Sequence, residues 1–367
     1  MRTICGLILG GCFFCCCSTP EQQGIPTVRI DVSAARPSDL QQLVDKIHVF
    51  PLETHDSCLI GQRHTLQVRN GHYYINNEQK EVLQFDHQGK FLRTTLPSYG
   101  PGPQDYAIAV SSYIDKEEQL GIYEVFLPRI QEYDKEFRYR QTVRIDVPDT
   151  RSSQLQRQYV KVNDSLYVVK DYKDIHFYST AQSKVVKSLH DEFPSLLAIT
   201  TQLRLVDYDN AFHYSPSYSC DTLYRLDEHQ LTLEPEVIFD FGGKSFQLQD
   251  LPTDMTPQYY QQFLVETDRI IVLEKIHLPN QIYCFFLQGK NSYVSRTSET
   301  KTMVYRQEKG AALSVPQAVE GHRFYALVWP DKVEEYVDSC LLDADSRQRI
   351  SQLNMEGNPV IICYEMK

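Results

Sequence analysis

Beyond its N-terminal cysteine cluster the chain contains no C-x-x-C, and it has no H-x-x-x-H or H-E-x-x-H, no G-x-S-x-G, and neither a P-loop nor a dinucleotide fingerprint. Zinc chemistry and the Gly-rich cradling of phosphates therefore have no support in its spacing, and no metal or cofactor is implied. Clustered cations are scarce as well. Lys and Arg number 37 against 48 Asp and Glu, for a net charge of −11, and their short runs are interrupted by acids. Nucleic acid is thereby disfavoured as a partner, because neutralising phosphates takes grouped Lys and Arg. Collagen and coiled-coil periods are absent, and so is the βαβ rhythm that a parallel α/β sheet would need. What is present is a globular composition, 42% hydrophobic and 11% aromatic, too apolar for a disordered chain.

The cysteines fall into two groups. Of the 10, Cys5, Cys12, Cys15, Cys16 and Cys17 crowd the N-terminus, while Cys58, Cys220, Cys284, Cys340 and Cys363 are scattered at irregular intervals. An odd, dispersed set is not a disulfide framework, and segments such as Tyr283-Cys284-Phe285 suggest small buried hydrophobes. The N-terminal group ends a short apolar run that follows Arg2, which is the pattern of a secretory leader too short to span a bilayer. Its terminal cysteines suggest a lipoprotein leader. Leu9-Gly10-Gly11-Cys12 matches a lipobox better, whereas Cys17 leaves a polar tether in place of Phe13-Phe14. Cys17 is favoured as the lipidated residue, with Cys12 the alternative. Residues 1–17 are then a signal peptide, 18–26 a tether and 27–367 one domain, held to a membrane by acyl chains.

Beyond the tether nearly everything reads as strand and turn. Segments such as Tyr73-Tyr74-Ile75 and Ile270-Ile271-Val272-Leu273 alternate with clusters of Gly, Asn, Asp, Pro and Lys. Only residues 38–44 and 257–264 invite a helix, of about two turns each. The strands also repeat. Phe85-Asp86-His87-Gln88-Gly89-Lys90-Phe91 is matched by Tyr133-Asp134-Lys135-Glu136-Phe137-Arg138-Tyr139, and Leu226-Asp227 and Tyr178-Ser179 fall at corresponding intervals. Each unit is a hairpin in which Asp accepts a hydrogen bond from the backbone two residues on, and Gly89 supplies a positive φ. The strand before each turn has a partner upstream, and these partners begin at residues 72, 121, 166, 211, 270 and 324, roughly fifty residues apart, which suits a four-stranded antiparallel blade. Six recurrences predict an all-β, six-bladed β-propeller, with seven blades a remaining possibility.

The residues resemble a known family, the six-bladed β-propeller lipoproteins of Bacteroidetes, which are similar to NHL-repeat propellers. The likeness runs through Ile47-His48-Val49-Phe50-Pro51-Leu52-Glu53-Thr54, Ser57-Cys58-Leu59-Ile60-Gly61, Tyr73-Tyr74-Ile75 and Gly89-Lys90-Phe91-Leu92. It continues in Tyr99-Gly100-Pro101-Gly102 with Tyr106, in Ile114-Asp115, and in the closing Asn358-Pro359-Val360-Ile361-Ile362. The family's usual Gly-Pro-Gly-Glu-Tyr is lengthened here to Gly100-Pro101-Gly102-Pro103-Gln104-Asp105-Tyr106. The resemblance implies an envelope address and a ring closed by its two ends, with residues 27–32 and 47–52 pairing with the C-terminal blade around 360–364.

The candidate ligand-binding residues are Tyr99, Gly100, Gly102, Asp105 and Tyr106, since Gly and Pro would fix an exposed connection and Tyr offers a rigid body with a polar tip. A rigid inter-blade turn is the plainer reading of that loop, and strand packing that of most of the 24 tyrosines. Asp207 and Asp209 share one face of an extended segment, but calcium needs several more oxygens, so a solvated turn is favoured. The chain is thus read as a lipid-anchored envelope module that binds a glycan, peptide or protein at the mouth of its channel. The alternative is a channel-mouth enzyme, a lyase or metal-dependent hydrolase. It would bring at least three Asp, Glu, Asn or His from different blades together at one mouth.

Overall fold

The computed structural model describes residues 24–124, 127–147, 158–170, 174–190, 205–208, 211–216, 220–250, 257–299 and 301–367. Six antiparallel sheets stand around an axis as the blades of a propeller. An N-terminal arm supplies three strands, β1 (Thr27–Arg29), β2 (Arg36–Pro37) and β3 (Val44–Pro51). Blade 1 follows as β4 (His64–Arg69), β5 (His72–Asn77), β6 (Glu81–Phe85) and β7 (Phe91–Thr94). Blade 2 is β8 (Ala109–Ile114), β9 (Leu120–Glu124), β10 (Arg129–Tyr133) and β11 (Tyr139–Arg144). Blade 3 is β12 (Gln158–Asn163), β13 (Leu166–Lys170), β14 (Asp174–Ser179) and β15 (Lys184–His190). Blade 4 is β16 (Leu205–Tyr208), β17 (Ala211–Tyr214), β18 (Thr222–Asp227) and β19 (Thr232–Asp240). Blade 5 is β20 (Ile270–Leu278), β21 (Gln281–Gln288), β22 (Asn291–Ser298) and β23 (Lys301–Arg306). Blade 6 is composite: β24 (Ala318–Glu320), β25 (Arg323–Val328) and β26 (Val360–Met366), with β3 as its outer strand.

The hairpin chemistry is that of the repeat. Asp86 Oδ1 accepts from the backbone N–H of Gln88 and Lys90, both at 2.9 Å, and Gly89 sits at φ +84°. Asp134 accepts from Glu136 at 3.0 Å and Arg138 at 2.9 Å, and Asp227 accepts from His229 at 2.8 Å. Phe85 and Tyr133 each end the third strand of their blade. Where Gly89 stands in blade 1, blade 2 places Phe137 at φ +62°. Its buried ring packs 6.4 Å from Tyr74 of blade 1, which offsets part of the cost of that backbone.

The core is a set of layers between neighbouring blades. Leu66, Val68 and Tyr73 of blade 1 meet Tyr325, Ile361 and Cys363 of blade 6, and Tyr113, Tyr123 and Ile130 of blade 2 meet Tyr159, Tyr167 and Val169 of blade 3. Four of the five cysteines beyond the leader are buried thiols, as the sequence suggests, and burial pushes Cys363 up to about 12. Cys340 is exposed.

The closure agrees with expectation at one end of the arm and differs at the other. β3 pairs antiparallel with β26, Pro51 opposite Val360 and Ile47 opposite Tyr364. The segment 27–32 does not reach that blade. Its β1 lies parallel to β19 at the edge of blade 4, Thr27 beside Ile238 and Arg29 beside Asp240. Val28 and Ile30 there enter a layer with Leu223, Val237 and Phe239. β2 likewise adds to β23 of blade 5. The reason is the unpaired row of N–H and C=O groups on each outer strand, which any extended segment can satisfy. In blade 5, Ile270–Leu273 belongs to the first strand and not the second, because an insertion carrying α2 (Pro257–Glu266) stretches the repeat there.

The segment expected as a helix over 38–44 forms a single turn, α1 (Leu40–Leu43), before the chain extends into β3. A third helix, α3 (Ala344–Ser351), lies in the long connection between β25 and β26. It guards the open side of β3: Ser346 Oγ accepts from Val49 N–H at 2.9 Å, and Arg349 Nη1 donates to Val49 C=O at 3.0 Å. Among the described residues no helix is long and apolar enough to cross a membrane.

Buried Asn358 ties the last strand to the chain that follows β3. Its Nδ2 donates to Glu53 C=O at 2.6 Å and Cys58 C=O at 2.7 Å, and its Oδ1 accepts from Ile60 N–H at 2.9 Å. Asn358→Ala strands three buried backbone groups, so it should lower unfolding free energy by about 3 kcal/mol. Urea denaturation checks this; a loss near zero would show that Asn358 is not part of the closure.

Candidate ligand-binding channel

The first strand of every blade lends residues to one central cavity. In β4, Leu66 and Val68 pack against blade 6, while Gln67 on the opposite face reaches blade 2, its Nε2 donating to Ser112 C=O at 3.0 Å and its Oε1 accepting from Ile114 N–H at 2.9 Å. Together the first strands enclose a channel of about 690 Å³. The hairpin turns after them, with Asp115, Glu117 and Asp164, gather at one mouth.

Two polar assemblies shape the wall. Arg69 of blade 1 reaches Asp207 of blade 4 at 3.3 Å, an ion pair between opposite blades that bars the channel near the turn mouth. Lys161 of blade 3 lies 3.2 Å from Asp115 Oδ2, 3.8 Å from Glu132 Oε1 and 3.7 Å from Asp164 Oδ1. Behind it, buried Glu132 accepts from Tyr113 at 2.7 Å, Tyr167 at 2.5 Å and Gln141 at 2.6 Å. Burial pushes the Glu132 carboxyl up, but these donors and the Lys161 charge outweigh it and hold the group below its ordinary value. For Tyr113 and Tyr167 burial and the carboxylate act together, and both hydroxyls are raised. The cluster is a satisfied polar staple between blades 2 and 3.

A second carboxylate joins blades 4 and 5. Glu236 lies 2.8 Å from His213 Nδ1 and 3.1 Å from His277 Nδ1. Burial opposes its ionisation, yet hydrogen bonds from both imidazoles and their charge bring it down to about 2.

Along the wall, the carboxylates Asp115, Glu117, Asp164, Asp207, Glu228 and Glu274 outnumber the cations Arg69, Lys116 and Lys161. Blades 4 and 6 contribute an apolar stretch that includes Val206, Val315, Pro316 and Val319. Among the described residues, no three His, Cys, Asp or Glu are grouped so as to hold a metal ion. Asp207 is taken up by Arg69, and Asp209 lies outside the described residues.

The five loop residues singled out in the sequence lie together, away from the channel lining, in the connection between blades 1 and 2. Tyr106 is buried, with its hydroxyl 2.6 Å from Thr95 Oγ1. Gly100 N–H donates to Tyr106 C=O at 3.0 Å, and Gly102 N–H to Asp105 Oδ2 at 2.9 Å. A Cβ on Gly102 would meet that oxygen at 2.5 Å, which explains glycine there. Arg129 and Gln131 of β10 grip the Asp105 carbonyl, each at 3.0 Å. Tyr99 stands edge-on to Tyr106 at 5.9 Å and is 44% exposed. Of the channel residues, Asp207 was noted in the sequence only as part of a solvated turn and most others were missed, because cross-ring pairs such as Arg69 and Asp207 leave no local mark.

The chain belongs to the family described as domain of unknown function DUF4934, whose model matches residues 26–365. No curated protein matches it. Among solved structures it is similar to a protein of Bacteroides fragilis NCTC 9343 whose name marks it as a candidate exported protein, at 14% identity and TM-score 0.68, covering 94% of this chain and 99% of that one. It is also similar to a DUF4221 family member from Bacteroides vulgatus ATCC 8482, at 13% identity and TM-score 0.54, covering 89% of this chain and 98% of that one. At these identities the likeness is one of fold.

The Glu236 assembly gives a pH dependence. A carboxyl depressed from 4.5 to about 2 contributes stability that is complete above 4.5 and lost as pH falls through that interval. Glu236→Gln should therefore melt below wild type at neutral pH, with the gap in Tm closing as the pH approaches about 2. A gap independent of pH would show that the imidazoles do not hold the carboxylate.

Proposed function

We propose that this protein is an exported, lipid-anchored binding or scaffold propeller that holds an envelope glycan, peptide or protein partner in its central channel. The observation that carries the reading is the channel itself, about 690 Å³ with charged, amide and apolar groups on one wall, within the range of ligand sites. The carboxylates around Lys161 are paired with its charge and, at Glu132, accept hydrogen bonds from tyrosine hydroxyls, an arrangement that favours rigidity over proton transfer. Tyr99, exposed on the Gly-Pro loop with Gly100, Gly102, Asp105 and Tyr106 behind it, offers a further contact outside the channel.

The envelope address draws support from the leader and its cysteines, and from the name of the Bacteroides fragilis neighbour. The relation to NHL-repeat propellers belongs to the same reading and rests on the aromatic-Asp hairpins. Lipidation falls on Cys17, or on Cys12, both outside the described residues. A protein with Cys12→Ser and Cys17→Ser together should shift from the membrane to the soluble fraction, while unchanged membrane recovery would contradict the anchor. For binding, glycan and peptide arrays probed with wild type and with Thr65→Trp, which fills the channel, should show signals that the variant loses. Signals indifferent to that substitution would place the binding surface elsewhere.

A further inference from the structure

We propose that the Gly-Pro loop between blades 1 and 2 docks on the lipid surface, with Leu96, Tyr99 and Leu127 entering the headgroup region. This rests on the lipid-anchor reading and adds the face that the ring turns to the bilayer.

The loop and the turn beside it form one uncharged patch. The connection from β7 to β8 carries no charge from Thr94 to Gln104, and it leaves Leu96, Pro97, Tyr99, Pro101 and Pro103 exposed. The turn between β9 and β10 adds exposed Leu127 and Pro128. The two segments adjoin, because Ala109 at the start of β8 lies opposite Glu124 at the end of β9. Arg129 joins them directly: its Nη1 donates to Pro103 C=O at 3.2 Å and its backbone N–H to Leu127 C=O at 2.6 Å. The nearby acids are turned away. Asp105 accepts from Gly102 N–H, and buried Glu124 is paired with Arg129 at 2.7 Å. Exposed Lys80 borders the patch, since Gln79 C=O beside it accepts from Ala109 N–H at 2.7 Å. Apolar side chains scattered singly over a surface need no explanation. Leucines grouped with a tyrosine, and with a lysine at the border, suit the boundary between water and lipid.

The patch is also presented without an ordering cost. Gln131 Nε2 donates to Pro103 C=O at 3.2 Å, and the ring of buried Tyr106 braces that of Tyr99. The anchor brings the bilayer to it. About ten residues join Cys17 to Thr27 at the edge of blade 4, an extended reach of at most about 35 Å. A blade built from strands of this length is about 20 Å tall, so the tether lets either end of the ring lie on the lipid. Charge decides between the two ends. β8 starts beside the patch and ends before Asp115, which puts the patch and the acidic turn of Asp115 and Glu117 at opposite ends of blade 2. Anionic headgroups repel that turn, whereas the patch itself is uncharged.

The test is tryptophan quenching in the acylated full-length chain, reconstituted into phosphatidylcholine vesicles with and without dibrominated acyl chains. Trp329, the single tryptophan, is replaced by Phe, and the probe is Tyr99→Trp or, at the other end of blade 2, Glu117→Trp. Thermal melts confirm the fold of each variant. On vesicles the probe at position 99 should shift to shorter wavelength and be quenched by bromine, while the probe at position 117 does neither. Adding Leu96→Glu and Leu127→Glu should abolish the quenching at position 99 while the protein still floats with the vesicles. Floating protein whose probe at position 99 is quenched no more than that at 117 would overturn the docking and leave the anchor standing. Protein that does not float would remove the anchor, and this orientation with it. A shift at position 99 that grows with protein concentration in the absence of vesicles would assign the patch to a second copy of the chain and overturn the proposal.

Discussion

The pairing of β3 with β26 is the contact on which the rest depends. A stack of twisted sheets has two ends, and each end exposes both a face of apolar side chains and a row of unpaired backbone groups. Here the last sheet takes its outer strand from the beginning of the chain, so blade 6 is completed only when residues more than three hundred apart in sequence meet. Once it is complete, Tyr325, Ile361 and Cys363 can bury themselves against Leu66, Val68 and Tyr73 of blade 1, and the ring shuts. Gly89 belongs to the same contact. Its positive φ brings the first hairpin turn so near the end of β3 that a Cβ would stand 2.4 Å from Pro51 O.

Closure fixes the channel. The six first strands bring polar side chains to a common cavity, where their partners belong to other blades instead of being sequence neighbours. Arg69 and Asp207 meet because blades 1 and 4 stand opposite, and Lys161 meets Asp115 because blades 2 and 3 are adjacent. These pairs are partly shielded from water, so each cation is stabilised by the carboxylate facing it and would be costly to leave alone. The walls are held in place for that reason, which suits recognition without rearrangement.

The architecture was legible in the sequence wherever the information is local. Asp86, Asp134 and Asp227 mark hairpins through hydrogen bonds that span only a few residues, and their interval gives the blade count. The helix at Ala344–Ser351 was not legible, because a polar stretch with Ile350 as its main apolar residue shows no amphipathic stripe; Ser346 and Arg349 hold it to the β3 backbone through polar contacts. β1 was misplaced for a related reason. Three extended residues fit any open strand edge, and nothing in Thr-Val-Arg distinguishes blade 4 from blade 6. The loop around Tyr106 stood out because Gly and Pro announce it, but it lies apart from the channel. The channel lining did not stand out, since Thr65, Gln158 and Asp207 acquire a common surroundings only after the ring has formed.

Native-state hydrogen exchange resolved by residue tests the closure most directly. If β3 shuts the ring, amides of Val44–Pro51 should exchange with the same opening free energy as β26 and blade 1, as one cooperative unit. Fast exchange along β3 with blades 1 and 6 still fully protected would contradict the account, because the arm would then be an ornament on a ring that holds without it.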